Sequence, residues 1–178
     1  MIHLIQSISN SRWCWIALCL LGIMLEGCGL YFQYGLRLDP CVNCVYERAL
    51  YLTFIGAGLI GFLAPQVRLL RVLASLIFLV GSASGVLVAL SHLADYSSAG
   101  FGSCALRANF PSFLPLDKWL PWMFQPTGAC VPLDWSLLGL NMPQWILISF
   151  ACGLVVALVF LFAECFRRKK RDYIRYYR

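Results

Sequence analysis

Four apolar stretches, residues 13–36, 45–63, 69–90 and 145–163, are each long enough to cross a bilayer as a helix, and they leave this chain few other folds. A spanning helix needs about 20 apolar residues, because each adds roughly 1.5 Å to cross a hydrocarbon core about 30 Å thick. Inside that core every backbone N–H and C=O must be satisfied within the protein, and for continuous apolar runs the helix does this locally. Hydrophobic residues make up 61% of the 178 residues and charged residues 12%, with a mean hydropathy of +0.76, which excludes an ordinary soluble domain. No repeat, linker or low-complexity tract divides the chain, so a single membrane domain over 1–178 is expected. The expected fold is all-α: an antiparallel four-helix transmembrane bundle with a long loop between helices three and four. No small-residue cleavage site follows the first stretch, which is therefore read as a retained helix.

Sidedness follows from the basic residues, which are retained in the cytoplasm when they flank a span. Arg12, Arg68, Arg71 and the basic tail 164–178 fall on one side, and Arg37, Arg48, Arg107 and Lys118 on the other. Both termini are thus expected to be cytoplasmic, with the loops 37–44 and 91–144 outside, in the compartment where disulfides persist. The net charge of +6 sits mainly in Arg167, Arg168, Lys169, Lys170 and Arg171, directly after an apolar helix. That placement reads as a stop-transfer flank, with anionic lipid as an added contact, and not as a nucleic-acid surface. The long loop carries six prolines, which rule out one continuous helix. Its aromatic stretch 110–124 is expected to lie in the headgroup plane with Trp119 and Trp122 as anchors, or to form an apolar lid on the helices.

The external loops hold the chemistry. Cys41 and Cys44 form a C-x-x-C pair at the entrance to the second apolar stretch, and Cys104 and Cys130 lie far apart in the long loop. A C-x-x-C pair can close a disulfide or bind a metal, but no Cys-x-x-His accompanies it and both histidines, His3 and His92, stand alone in sequence. No metal site is expected. Cys44 falls at a helix start, where unpaired N–H groups and the helix dipole favour an anion, so its thiolate is expected to be stabilised. Arg48 follows one turn deeper. It serves either as a functional cation beside that thiolate, the preferred reading, or as a snorkelling anchor or partner of Glu47.

Electrons reaching a membrane dithiol need an acceptor, and the chain has no haem ligand pair, four-cysteine cluster pattern or dinucleotide-binding glycine motif. A lipid-soluble quinone beside Cys44 and Arg48 is the economical choice. His92 is either an additional donor to it or an interfacial histidine bonded to backbone or water. A Cys104–Cys130 disulfide would contribute roughly 3 to 4 kcal/mol as a loop staple. The glycine-rich settings of both cysteines equally suit an exchanging disulfide, so staple and shuttle both stand. Cys14, Cys19, Cys28, Cys152 and Cys165 read as ordinary buried packing. Gly56, Gly61, Gly81 and Gly85 read as close helix contacts. Glu26, a carboxyl within a span, is given no catalytic role.

The chain resembles the bacterial disulfide bond formation protein B (DsbB) family along nearly its whole length. The resemblance is carried by Pro40-Cys41-Val42-Asn43-Cys44-Val45-Tyr46-Glu47-Arg48, Leu114-Pro115-Leu116-Asp117-Lys118-Trp119, Met142-Pro143-Gln144-Trp145, and the pair Cys104 and Cys130. It implies an inner-membrane protein-dithiol:quinone oxidoreductase that reoxidises a periplasmic DsbA-like thiol oxidoreductase and reduces the membrane quinone pool, ubiquinone or menaquinone. It further implies that the partner attacks a Cys104–Cys130 disulfide at Cys104, that Cys130 then exchanges with Cys41, and that Cys44 donates to the quinone. Arg48 corresponds to the family's quinone-site arginine and His92 to its histidine at that helix end. Two other readings of the residues are an assembly factor whose loop disulfides are staples and a bundle of the vitamin K epoxide reductase type. The position of the long loop, between helices three and four, favours the DsbB arrangement over the latter.

Overall fold

The computed structural model describes residues 8–97, 108–112, 114–129 and 135–165. Four long helices account for most of them: α1 (Arg12–Leu30), α2 (Val42–Leu63), α3 (Arg68–Ser97) and, after two short helices, α6 (Met142–Cys165). They pack side by side in chain order, α1 on α2, α2 on α3 and α3 on α6. Helices α1 (with the turn that extends it to Gly35), α3 and α6 are long and apolar enough to cross a membrane. Their outer faces expose Leu20, Ile23, Leu87, Val155 and Phe162, a surface that hydrocarbon solvates and water does not. This is a helical membrane protein.

The helix ends are set by local chemistry. Helix α1 widens at its end into a π-helical turn, Tyr31–Gly35, that carries Phe32, Gln33 and Tyr34 toward the cysteine end. Cys41 has extended backbone (φ −78°, ψ 171°) and caps α2, its sulfur accepting the Cys44 N–H. Helix α3 outlasts the apolar stretch 69–90 and runs on to Ser97, because nothing in His92-Leu93-Ala94-Asp95-Tyr96 breaks a helix and its polar side chains pack on the first turns of α2. Ahead of α6, Ser136–Leu137 pairs antiparallel with Leu140–Asn141 in a two-strand hairpin (β1, β2), so the fold is not purely helical. Leu138 and Gly139, both at positive φ, form its turn, the backbone that a two-residue hairpin demands. Asn141 and Gln144 then exchange backbone-to-side-chain bonds, a reciprocal cap that starts α6.

Tyr51, Phe54, Phe78 and Phe150 form the centre of the core, the Tyr51 and Phe150 rings stacked at 4.5 Å. Close approach is bought with small residues: a Cβ on Gly85 would stand 2.1 Å from the Phe150 ring, and one on Gly61 2.1 Å from the Trp15 ring. Gly81 is equally tight against Thr53, but Gly56 faces open space, so the close-contact reading fails there. At the end away from the C-x-x-C, buried Arg71 grips Glu164 through Nε (2.8 Å) and an Nη2 bond (2.9 Å), and Ser9 also donates to Glu164.

The stretch expected to lie at the headgroup plane contains two one-turn helices, α4 (Leu116–Trp119) and α5 (Pro121–Phe124). Leu116, Met123 and Phe124 pack against Val45 of α2, while Trp119 and Trp122 are exposed. The segment therefore has a packed face and an outward aromatic face, combining features of the lid and the anchor.

Candidate active site

The cap of α2 concentrates the chemistry. The sulfurs of Cys41 and Cys44 lie 2.7 Å apart, and the Cys44 N–H points to the Cys41 sulfur at 3.3 Å. The favoured anion is therefore at Cys41 and not, as helix position alone suggested, at Cys44. The Cys41 thiol is lowered to about 5, chiefly by the hydrogen bond from the Cys44 thiol and further by His92, against the opposing effect of burial. The physical reason is that the Cys41 sulfur accepts from the Cys44 thiol and lies beside His92, and as the residue outside the first turn it also receives the orphan amide that Cys44 supplies.

His92 does not stand alone in the fold. Its Nε2 lies 3.7 Å from the Cys41 sulfur and 4.0 Å from that of Cys44, and its Nδ1–H donates to Glu47 Oε1 at 2.9 Å. Glu47 is thus a site residue that sequence reasoning left as a mere neighbour of Arg48. Its place one turn beyond Cys44 on the same helix face was the available signal. Asn43 donates to Asp95 at 3.0 Å, a second tie between α2 and the end of α3.

Arg48 is buried, and its guanidinium is held by oxygens of other elements: Gln33 Oε1 at 2.5 Å, the Gly29 carbonyl at 2.6 Å and the Met123 carbonyl at 3.2 Å. These neutral acceptors give the buried guanidinium no carboxylate hydrogen bond, although its charge acts on Glu47 and Glu26 nearby. Arg48, Glu47, Cys44 and Tyr51 of α2 line a half-open cavity of about 260 Å³ whose other walls include Cys28 and Phe32, Trp135, and Met142 and Trp145 of α6. Glu47 Oε2, buried and without a hydrogen-bond partner, belongs to this lining residue. An apolar cleft with a few convergent polar groups is the usual form of a site for a flat, mostly apolar ligand, and a quinone fits that donor set: a guanidinium, a carboxyl and a thiol.

A second cavity, about 240 Å³, adjoins the first and is lined by Cys41, Cys44, His92, Tyr96, Gly128 and Ala129 among others. Cys44 lines both. The segment leading to Cys130 is pinned here: the Thr127 and Gly128 N–H groups donate to the Pro40 carbonyl at 3.0 and 3.1 Å, and the Thr127 hydroxyl donates to Asp39 at 3.1 Å. Only glycine fits at 128, since a Cβ would lie 2.5 Å from the Asp39 carbonyl oxygen. Cys104 and Cys130 themselves lie outside the described residues, as does His3. Of the remaining cysteines, Cys28, Cys152 and Cys165 are exposed on the helix surfaces, which corrects the buried-packing reading for these three. Cys14 and Cys19 are half-buried. Glu26 is buried with neither carboxyl oxygen hydrogen-bonded.

A membrane-helical scaffold presenting a C-x-x-C at a helix cap, backed by an imidazole and a buried arginine, defines the class: a membrane oxidoreductase concerned with disulfides. A family model described as "Disulfide bond formation protein DsbB" matches residues 11–160. The chain is 44% identical over 154 residues to disulfide bond formation protein B of Histophilus somni (strain 129Pt), covering 85% of this chain and 86% of the relative. It is 38% identical over 170 residues to that of Psychromonas ingrahamii (94% and 91% covered). Against that of Salmonella typhimurium it is 39% identical over 173 residues (97% and 98% covered). The chain belongs to the DsbB family.

Proposed function

We propose that the protein is a protein-dithiol:quinone oxidoreductase of the bacterial inner membrane, with four spanning helices, cytoplasmic termini and periplasmic redox loops. It reoxidises a DsbA-like thiol oxidoreductase and passes the electrons to ubiquinone or menaquinone. The observation that carries this reading is that Cys44 lines two cavities at once, one shared with Cys41, His92 and the segment before Cys130, the other with Arg48 and Glu47.

In the cavity beside Cys41 and His92 the chain performs thiol-disulfide exchange. The partner's thiolate attacks Cys104 of a Cys104–Cys130 disulfide and releases Cys130. The Pro40 carbonyl, by holding Thr127 and Gly128, keeps the chain just ahead of Cys130 beside Cys41. Cys130 then attacks Cys41 of a Cys41–Cys44 disulfide and releases Cys44. The partner's second thiol displaces Cys104, which leaves the partner oxidised, and Cys104 attacks Cys130, which re-forms the Cys104–Cys130 disulfide and releases Cys41, so that Cys41 and Cys44 are left as the dithiol.

Reforming the Cys41–Cys44 bond releases two electrons and two protons. His92 Nε2 is positioned to hold the Cys41 proton, with Glu47 fixing the imidazole through Nδ1. In the cavity that Arg48 lines, its guanidinium supplies the positive charge that favours a developing oxyanion, and the walls are mostly apolar. A bound quinone supplies the two-electron, two-proton sink.

The test is direct. The purified protein is mixed with a reduced DsbA-like partner, with and without added quinone, while partner thiols and hydroquinone are both quantified. Stoichiometric thiol loss and hydroquinone formation that appear together on adding quinone are expected. Thiol loss that ignores quinone, or none in its presence, refutes the reading.

A further inference from the structure

The fold brings His92, 51 and 48 residues away in the chain, up to the Cys41 and Cys44 sulfurs, so that three metal-binding donors meet. The Cys41 and Cys44 sulfurs and the His92 ring nitrogen all lie within 4.8 Å of one another. We propose that the reduced protein binds one divalent cation of the zinc class at Cys41, Cys44 and His92, and that this cation caps the dithiol against reoxidation.

The donor set is right for such an ion. Two thiolates and a neutral imidazole neutralise the charge of a borderline-soft divalent cation and match its preferred sulfur and nitrogen ligands. The imidazole is already oriented for it: Nδ1–H is committed to Glu47 Oε1, leaving Nε2 turned toward the sulfurs, the carboxylate-histidine arrangement that supports metal ligands. Tetrahedral bond lengths place sulfur and nitrogen ligands about 3.5 Å apart and two sulfurs about 3.8 Å apart. The nitrogen-sulfur distances of 3.7 and 4.0 Å are near that already. The sulfurs, at 2.7 Å, must part by about 1 Å, a change open to the Cys41 side chain because its residue precedes the helix.

The cavity of about 240 Å³ on this side gives an ion its entry path and leaves room for a water as fourth ligand. Arg37 and Asp39 both line it, so the approach is not dominated by one sign of charge. Binding exchanges two thiol protons for the cation and changes no oxidation state. It uses the same two sulfurs as the disulfide, so metal-bound and disulfide forms exclude each other, and a thiophilic cation would halt the protein in its dithiol state. The inference needs the dithiol alone and does not depend on which acceptor the Arg48 cavity takes.

The test titrates the full chain, reduced and free of quinone, with cobalt(II) alone, then displaces it with zinc. One equivalent is expected to produce a thiolate-to-cobalt charge-transfer band and tetrahedral visible bands. The Cys41–Cys44 disulfide form should give neither, and a Cys104→Ser/Cys130→Ser double variant should match the parent. Glu47→Gln should weaken zinc about 10- to 100-fold, and His92→Ala should shift the visible bands as well as weaken binding. Absence of the thiolate band in the reduced parent, its loss in the double variant, or an unchanged spectrum and affinity in His92→Ala would overturn the site. Because no turnover is measured, failure of quinone reduction leaves this result readable.

Discussion

His92 Nδ1 and Glu47 Oε1 lie 2.9 Å apart, joining α3 to α2 beside the two active sulfurs. The bond fixes which imidazole nitrogen faces Cys41, and so makes His92 an acid-base group with a set direction.

The first prediction concerns Cys41. With its thiol lowered to about 5, its alkylation rate should rise with pH through a midpoint near 5 and be flat above it, since only the thiolate reacts. His92→Ala removes a contribution that lowers the thiol, so the midpoint must move up, toward the ordinary thiol range near about 8.5. Mass-spectrometric mapping of alkylated Cys41 against pH reads both. An unmoved midpoint would remove His92 from the thiolate's environment.

Arg48 should control acceptor use. Arg48→Ala removes the guanidinium from the cavity lining, and loss of one charge-assisted bond to the quinone, about 1.5–3 kcal/mol, should raise the apparent quinone KM about tenfold or more. Arg48→Lys should recover only part of it, because an ammonium cannot reproduce the planar fork that reaches Gln33 and Gly29 together. Steady-state kinetics at varied quinone will show this; wild-type KM in Arg48→Ala would assign the residue to structure alone.

Gly128 should matter for exchange between the loops. Gly128→Ala places a methyl group against the Asp39 backbone and pushes the segment off the Pro40 carbonyl. Displacement of a reacting group by about 1 Å can cost up to about a hundredfold in rate. Quenched-flow trapping of the Cys41–Cys130 species should reveal the slowing. Gly27→Ala, at a position with open space around it, should behave as the parent.

At the opposite end, Arg71→Ala strands buried Glu164 without its bidentate partner, and a loss of about 3–5 kcal/mol is expected. Thermal unfolding in detergent measures it. Quinone kinetics measured below the transition should stay unchanged, since the pair lies far along α3 and α6 from Cys44.

Much of this molecule was legible in its residues. Hydropathy is summed over local sequence, so the apolar stretches were evident, as was the C-x-x-C at a helix entrance. The reciprocal Asn141 and Gln144 cap is local too, although it had to be seen to be read. The assignment of the anion to Cys44 went astray because helix position does not show which sulfur accepts: Cys41 receives the Cys44 thiol, the sequence-distant His92 and, as the cap of a helix that begins at Val42, the amide. Likewise hydropathy stops at residue 90 while the helix continues to Ser97, because helix formation does not require apolar residues and membrane burial does.

Sequence by itself determined the solvent this chain must live in and the reactive groups it carries, for both depend on residue types and near-neighbour spacing. Tertiary structure alone decided that His92 meets Glu47 and the sulfurs, that Arg48 is held by three carbonyl oxygens of distant segments, and that the stretch before Cys130 docks on Pro40. Those meetings depend on how each helix is rotated about its axis. Helices apolar on nearly every face carry little periodic signal of that rotation, and it is set instead by packing of glycine against aromatic ring and by polar pairs that close only when the helices come together.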